Sequence, residues 1–274
     1  MASAQAIRDD AAVPRQDAYF DSNALSKVPQ ATLAFWIVKI LATTLGETGG
    51  DALSMTLNLG YLKSTLIFLA FFLVTLAAQV ASRHYHPFFY WAVVVATTTV
   101  GTTTSDYFDR TLGLGYIKSS IILFGLVIAV LVVWRFSTGV IRVDHITARK
   151  DEIFYWVTIL VSNTLGTALG DFVATDAGLG FERGALVFAG LIAVVAALHY
   201  FTSIRTSVLF WAAYVLTRPL GATLGDTLTK PFAQGGLNVG RFTSSFVIAA
   251  VMAVLVALTL RREHMAQLRS TSSH

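Results

Sequence analysis

Residues Trp36–Asp51 read WIVKILATTLGETGGD, and the same frame returns three times: WAVVVATTTVGTTTSD at Trp91–Asp106, WVTILVSNTLGTALGD at Trp156–Asp171 and WAAYVLTRPLGATLGD at Trp211–Asp226. In each copy Gly stands ten residues after the Trp and Asp fifteen after it, without a gap. Recurrence at a fixed internal period is the signature of a repeat architecture. The residue before each Asp is also small: Gly50, Ser105, Gly170 and Gly225. Small residues four apart let helix backbones approach closely in lipid. Three copies then run into Asn58–Tyr61, Gly113–Tyr116 and Gly178–Phe181, and the fourth reaches Asn238-Val239-Gly240-Arg241 five residues late. A second apolar segment follows in every unit: Leu66–Val80, Ile121–Trp134, Ala185–Leu198 and Phe246–Leu260.

Composition fits this frame to a bilayer. Hydrophobic residues make up 55% of the 274 and charged residues 13%, against about 25% charged in soluble domains. Mean hydropathy is +0.64. A helix needs about 20 mostly apolar residues to cross the hydrocarbon, and the flanking Ser, Thr, Gly and aromatic residues complete that length here. The sequence therefore predicts an all-α polytopic membrane protein with about eight transmembrane helices in four parallel two-helix repeats. The expected helices are 31–55, 62–80, 87–109, 117–136, 152–174, 183–202, 206–229 and 241–260. They divide the chain into a polar tail (1–30), a first transmembrane half with repeats 1 and 2 (31–136), a loop (137–151), a second half with repeats 3 and 4 (152–260) and a polar tail (261–274). The Trp-to-Trp steps of 55, 65 and 55 residues point to a two-helix unit doubled twice.

Lys and Arg set the topology. The tails and the even-to-odd loops hold twelve of them and the opposite loops six: Lys63, Arg110, Lys118, Arg183, Lys230 and Arg241. Both termini are thus expected in the cytoplasm, and residues 1–30 lack the apolar centre of a signal peptide. The net charge of +4 lies in loops and reads as topology, not as a nucleic-acid surface. With no cysteine, disulfides, thiolate metal sites and cysteine nucleophiles are excluded. No HExxH or GxSxG motif supports an enzyme, and no cofactor is implied.

Residues four apart share a helix face. The first unit lines up Lys39, Thr43, Glu47 and Asp51; the second Thr98, Thr102 and Asp106; the third Asn163, Thr167 and Asp171; the fourth Arg218, Ala222 and Asp226. If these faces line an axis, five carboxylates meet two bases. That leaves roughly three negative charges, a balance that favours a bound cation or protonation. Carboxylates with hydroxyl and carbonyl oxygens are hard ligands suited to magnesium, calcium or manganese. Glu47, Asp51, Asp106, Asp171 and Asp226 are therefore the candidate cation-binding, metal or proton-relay residues, with Lys39, Thr43, Thr98, Thr102, Asn163, Thr167 and Arg218 as polar support. The function expected is a secondary transporter or exporter of a divalent cation, manganese favoured, with proton exchange as one way to drive it. Its partners are the lipid bilayer and an inorganic cation or proton; the oligomeric state is open. The alternative is a non-transporting scaffold or assembly protein, in which each Asp pairs with a backbone turn or a neighbouring Arg and holds the units together.

Smaller features read as structure. The four Trp serve as interfacial anchors. The Thr runs 97–99 and 102–104 line a polar path or bond to their own helix. His84 and His86 form a solvated loop pair, and Pro219 or Gly49-Gly50 can interrupt their helices.

The segments TTLGETGGD (Thr43–Asp51), NTLGTALGD (Asn163–Asp171) and RPLGATLGD (Arg218–Asp226) carry a resemblance. From about Lys27 to Arg261 the chain resembles a family of bacterial proteins described only as uncharacterised membrane-anchored proteins. That likeness implies a multi-pass protein of the cytoplasmic membrane and no established activity. Glu47-Thr48-Gly49-Gly50-Asp51 is also similar to the Glu-x-Gly-Asp-Lys/Arg-Thr/Ser signature of cation and proton exchangers. It has one inserted residue and no base after the Asp. This second likeness implies manganese or calcium.

Overall fold

The computed structural model describes residues 29, 31–82, 85–139, 141, 146 and 148–271. The N-terminal tail, His84 of the His-x-His pair and most of the 140–147 loop lie outside the described residues. Among the described residues there are eight α-helices: α1 (Leu33–Asp51), α2 (Tyr61–Ala81), α3 (Pro87–Asp106), α4 (Tyr116–Thr138), α5 (Arg149–Asp171), α6 (Gly180–Phe201), α7 (Thr206–Thr229) and α8 (Arg241–Thr271). These follow the expected spans closely. The last runs on through Arg261 and Arg262, where the sequence suggested a tail. Neither Gly49-Gly50 nor Pro219 interrupts its helix: α1 continues to Asp51 and α7 spans Pro219.

Helix ends follow from local chemistry. Thr32 caps α1 by accepting from the Phe35 N–H at 3.2 Å, and Pro87 opens α3 where no N–H is needed. Beyond Asp51, Asp106 and Asp171 the backbone widens into a π-helical turn: Ala52–Thr56, Tyr107–Thr111 and Phe172–Asp176. The fourth unit has none; its five extra residues hold a short 3-10 turn, Phe232–Gln234. The repeated Asn/Gly-Leu-Gly turn is explained by its dihedrals. Asn58 and Asn238 sit at φ 53°, and Gly113 and Gly178 at 68° and 70°. Such left-handed backbone is tolerated by Gly and Asn and penalised elsewhere.

The helices form two concentric layers. In the inner layer α1 packs on α3, α3 on α5, α5 on α7, and α7 back on α1. In the outer layer each unit's second helix lies on the next unit's first: α2 on α3, α4 on α5, α6 on α7, and α8 on α1. The Trp ends of the inner helices meet one another, and so do the Asp ends, so all four point the same way. The arrangement is consistent with four two-helix units around one axis.

Among the described residues five segments are long and apolar enough to cross a membrane: Tyr61–Ala81, Tyr116–Thr138, Arg149–Asp176, Gly180–Phe201 and Arg241–Arg262. Four of these are the outer helices, which expose Leu66, Val74, Ile121, Phe124, Leu186 and Phe246. The inner helices α1, α3 and α7 carry too many threonines and charges for that test, and most of those residues are buried. Hydropathy thus sorts by layer in every helix but α5, an inner helix that is apolar enough to span.

The glycine of W-x9-G sets the spacing of the inner ring. A Cβ on Gly101 would stand 3.0 Å from the Asn163 backbone carbon and the Thr164 nitrogen. Gly46 faces Thr98, Gly166 faces Arg218, and Gly221 faces Thr43 in the same way. Each unit therefore rests its glycine on the next unit's residue seven after the Trp, and the last unit rests on the first. The small residues before the Asp repeat the pattern in three units: Gly50 on Thr102, Gly170 on Ala222 and Gly225 on Glu47. Adding even a methyl group there drives it into the neighbouring helix, at its backbone or the root of a side chain. Gly101→Ala and Gly221→Ala should each lose about 1–3 kcal/mol in reversible unfolding of the purified protein. Gly125→Ala and Gly190→Ala, with nothing within 4 Å, should hold or gain stability, because Ala outscores Gly in helices by about 1 kcal/mol. Equal losses at all four positions would contradict the ring.

Candidate functional site

The shared helix face predicted from the sequence lines the axis, and it stacks in tiers. Every one of its residues is buried. At the Trp end lies an aromatic tier. Phe35 and Phe210 stack with centroids 6.3 Å apart, and the hydroxyls of Tyr90 and Tyr155 are 3.0 Å apart. Next come Lys39, Val94, Ile159 and Tyr214, with the Lys39 ammonium 4.2 Å over the Tyr214 ring. The third tier is Thr43, Thr98, Asn163 and Arg218; the fourth is Glu47, Thr102, Thr167 and Ala222. Asp51, Asp106, Asp171 and Asp226 form the fifth.

Arg218 ties the units together. Its guanidinium donates to Glu47 at 3.1 Å, to the Thr167 hydroxyl at 2.7 Å and to the Thr102 hydroxyl, and reaches the carbonyls of Thr43 and Thr98 at 3.4 Å. One planar fork from unit four thus contacts units one, two and three, a use to which arginine geometry is suited. Thr102 also donates to Glu47 at 3.1 Å. Thr43, Thr98 and Asn163 cross-link neighbouring helices through the Thr217 carbonyl, the Ala42 carbonyl and the Thr97 hydroxyl at 3.0–3.2 Å. The Thr runs divide accordingly. All of Thr97, Thr98, Thr99, Thr102 and Thr103 donate to carbonyls of their own helix; Thr98 and Thr102 also face the axis and reach unit one.

The aspartate tier is paired throughout. Arg110 bonds Asp106 of its own unit at 2.9 Å and Asp171 of the next at 3.5 Å. Lys230 repeats the device, with Asp226 at 3.1 Å and Asp51 at 3.5 Å. Arg241 on α8 adds a second contact to Asp51 at 3.4 Å. The expectation of five acids against two bases is therefore corrected: Arg110, Lys230 and Arg241 join Lys39 and Arg218. Interleaved cations also keep the carboxylates apart. Among the described residues no three His, Cys, Asp or Glu side chains gather closely enough to hold a metal ion, so Glu47, Asp51, Asp106, Asp171 and Asp226 share an axis without forming a chelate in this arrangement.

The three added cations were counted in the sequence as outer-loop charges. A signal was present: Arg110 and Lys230 stand four residues after Asp106 and Asp226, so the face continues one step past each acid. Met55 and Thr175 hold that place in the other two units. The Trp reading also needs correction. Trp91 and Trp156 are buried in the aromatic tier against Phe35, Tyr90 and Tyr155, not laid along a membrane interface. A helical bundle supplies their apolar surroundings as well as a bilayer would.

Five bilayer-compatible segments, four of them wrapped around an inner ring with a buried row of carboxylates, define a polytopic helical repeat protein of membrane type. The chain belongs to the family described as Repeat of Unknown Function (DUF347), whose model matches it four times, at residues 34–85, 89–139, 154–205 and 209–265. Comparison with curated proteins and with solved structures gives no match.

Removing one member of a buried pair strands the other, which costs about 3–5 kcal/mol, while replacing both is far milder. Lys230→Met should therefore destabilise the protein by about that amount, and adding Asp226→Asn should recover a substantial part of it. A double-mutant cycle on unfolding in bicelles reads the coupling. Additive losses would mean that the pair is not formed.

Proposed function

We propose that this protein is a multi-pass transporter of the bacterial cytoplasmic membrane that moves a cation along its axis. Glu47, Asp51, Asp106, Asp171 and Asp226 are the groups that bind the cation or relay a proton in its place. All eight helices cross the bilayer in this reading, with α1, α3 and α7 shielded from lipid by the outer layer, and both termini lie in the cytoplasm.

The observation that carries the proposal is the charge of the aspartate tier. Four carboxylates face three cations, Arg110, Lys230 and Arg241, and one negative charge is in excess. Ionisable groups in membrane segments mark ion and proton paths. One excess charge suits a proton or a monovalent cation directly. A divalent ion such as manganese, which favours these hard oxygens, enters by displacing Lys230 or Arg110 from one of its two carboxylates. The π-turns beside three of the aspartates, a feature frequent at functional sites, place adjustable backbone where that exchange occurs.

One observation favours the scaffold reading: Arg110 and Lys230 each bridge two repeats. Buried ion pairs are a weak source of stability, however. An axis built only to hold helices together gains more from apolar residues.

Elemental analysis of cells lacking the protein, complemented with wild type, Asp51→Asn or Glu47→Gln at matched membrane levels, separates the two. Transport predicts that one metal accumulates in the deletion strain and stays high with both variants, with efflux slowed about tenfold or more, a loss of ~1.4 kcal/mol. Metal levels that are flat in every strain contradict metal transport.

A further inference from the structure

Lys39 stands outside the charge balance of the aspartate tier. It is fully buried on α1, and its ammonium makes no hydrogen bond. Its one polar contact is the face of the Tyr214 ring, 4.2 Å away. Glu47, two turns on along the same helix, is held by Arg218 and Thr102. No carboxylate among the described residues stands within ion-pair distance of Lys39. From α7 the Tyr214 ring and Arg218 face it; at the same register on α3 and α5 stand the neutral, buried Val94 and Ile159, and Tyr214 lies beside Tyr90 and Tyr155. Arg218 acts on it as a like charge. The Nε of Arg218 is itself buried without a hydrogen-bond partner.

Lys39 and Arg218 thus each keep a spare N–H in the protein interior, and neither finds an acceptor for it. Buried donors are almost always satisfied, and a buried charge is costly unless paired. Both spare groups are donors, so what complements them is an acceptor, and an anion also supplies the counter-charge that Lys39, buried beside Arg218, lacks. Tight glycine packing of the surrounding helices limits its size.

We propose that Lys39 and Arg218 form a second site on the axis, binding a small monovalent inorganic anion of about chloride's size between the tyrosines and the Arg218–Glu47 pair. The cation-favouring excess lies at the Asp end and the anion-favouring excess toward the Trp end, so one ion of each sign balances the two ends of the axis. Binding at this site does not depend on the transport reading.

The full-length protein, purified in detergent without added divalent metal, is titrated with chloride against gluconate at constant ionic strength. The unfolding temperature and the tryptophan emission, to which Trp156 and Trp211 contribute beside the site, are followed. Both should change saturably with chloride, and bromide should replace it. Lys39→Arg should keep the response, and Lys39→Met should weaken the affinity at least about tenfold. Wild type that responds equally to gluconate, or Lys39→Met that saturates at the same chloride concentration as wild type, overturns the proposal. Should Lys39→Met fail to fold, chlorine NMR line broadening on wild type decides: saturable broadening supports the site and its absence overturns it. A chloride response in a protein that moves no cation upholds this site and sinks the transport reading alone; cation transport without a chloride response does the reverse.

Discussion

Close helix approach at four glycines is the constraint on which the rest of this structure depends. Gly46, Gly101, Gly166 and Gly221 each press on the next unit's helix at the residue seven after its Trp. Contacts this close leave no room for a side chain between the inner helices, so the side chains turn either to the axis or to the outer layer. In a bilayer, where apolar surface gains nothing by leaving lipid, such close packing is the main source of helix association. The regular frame of W-x9-G-x4-D follows from it. The Gly fixes where two helices touch, and the Asp, five residues on, then falls at one common level in all four units.

Within that ring the side chains break the fourfold pattern in a systematic way. Basic residues follow the Asp in units two and four only, as Arg110 and Lys230, and each bridges to the unit after it. The result is an approximate twofold arrangement, in keeping with the 55, 65 and 55 residue steps of the sequence. Glu47, Lys39 and Arg218 reduce the symmetry further, since each occurs in a single unit. Arg218 draws the four units together at one point and leaves Lys39 without a counter-charge of its own. Charge along the axis is therefore graded, with a negative excess at the Asp end and a positive one nearer the Trp end.

Most of the architecture was legible because it is written four times. Repetition gave the helix count even for α1, α3 and α7, whose hydropathy alone falls short, and the four-residue period gave the axial face. Two things were not legible. Arg110 and Lys230 lie past the Asp, where composition suggests a loop, yet Arg110 lies in a π-turn and Lys230 directly follows α7, so the period extends to them. Arg241 reaches Asp51 from another helix, a contact that no local pattern encodes. The second matter is the surroundings of the Trp residues. Periodicity says that they recur on one face; it does not say whether lipid or another aromatic ring lies opposite.

Closure of the ring between its first and last units is the central claim, and the absence of cysteine makes it directly testable. Thr48 on α1 and Ser245 on α8 place their hydroxyls 2.8 Å apart across 197 residues of sequence. Thr48→Cys with Ser245→Cys, oxidised in native membranes, should form a disulfide within a single chain and shift the protein to a faster-migrating species on a reducing-versus-nonreducing gel. A cross-link found only between two chains, or none while the Thr97→Cys and Asn163→Cys pair on α3 and α5 links readily, would contradict the closed ring.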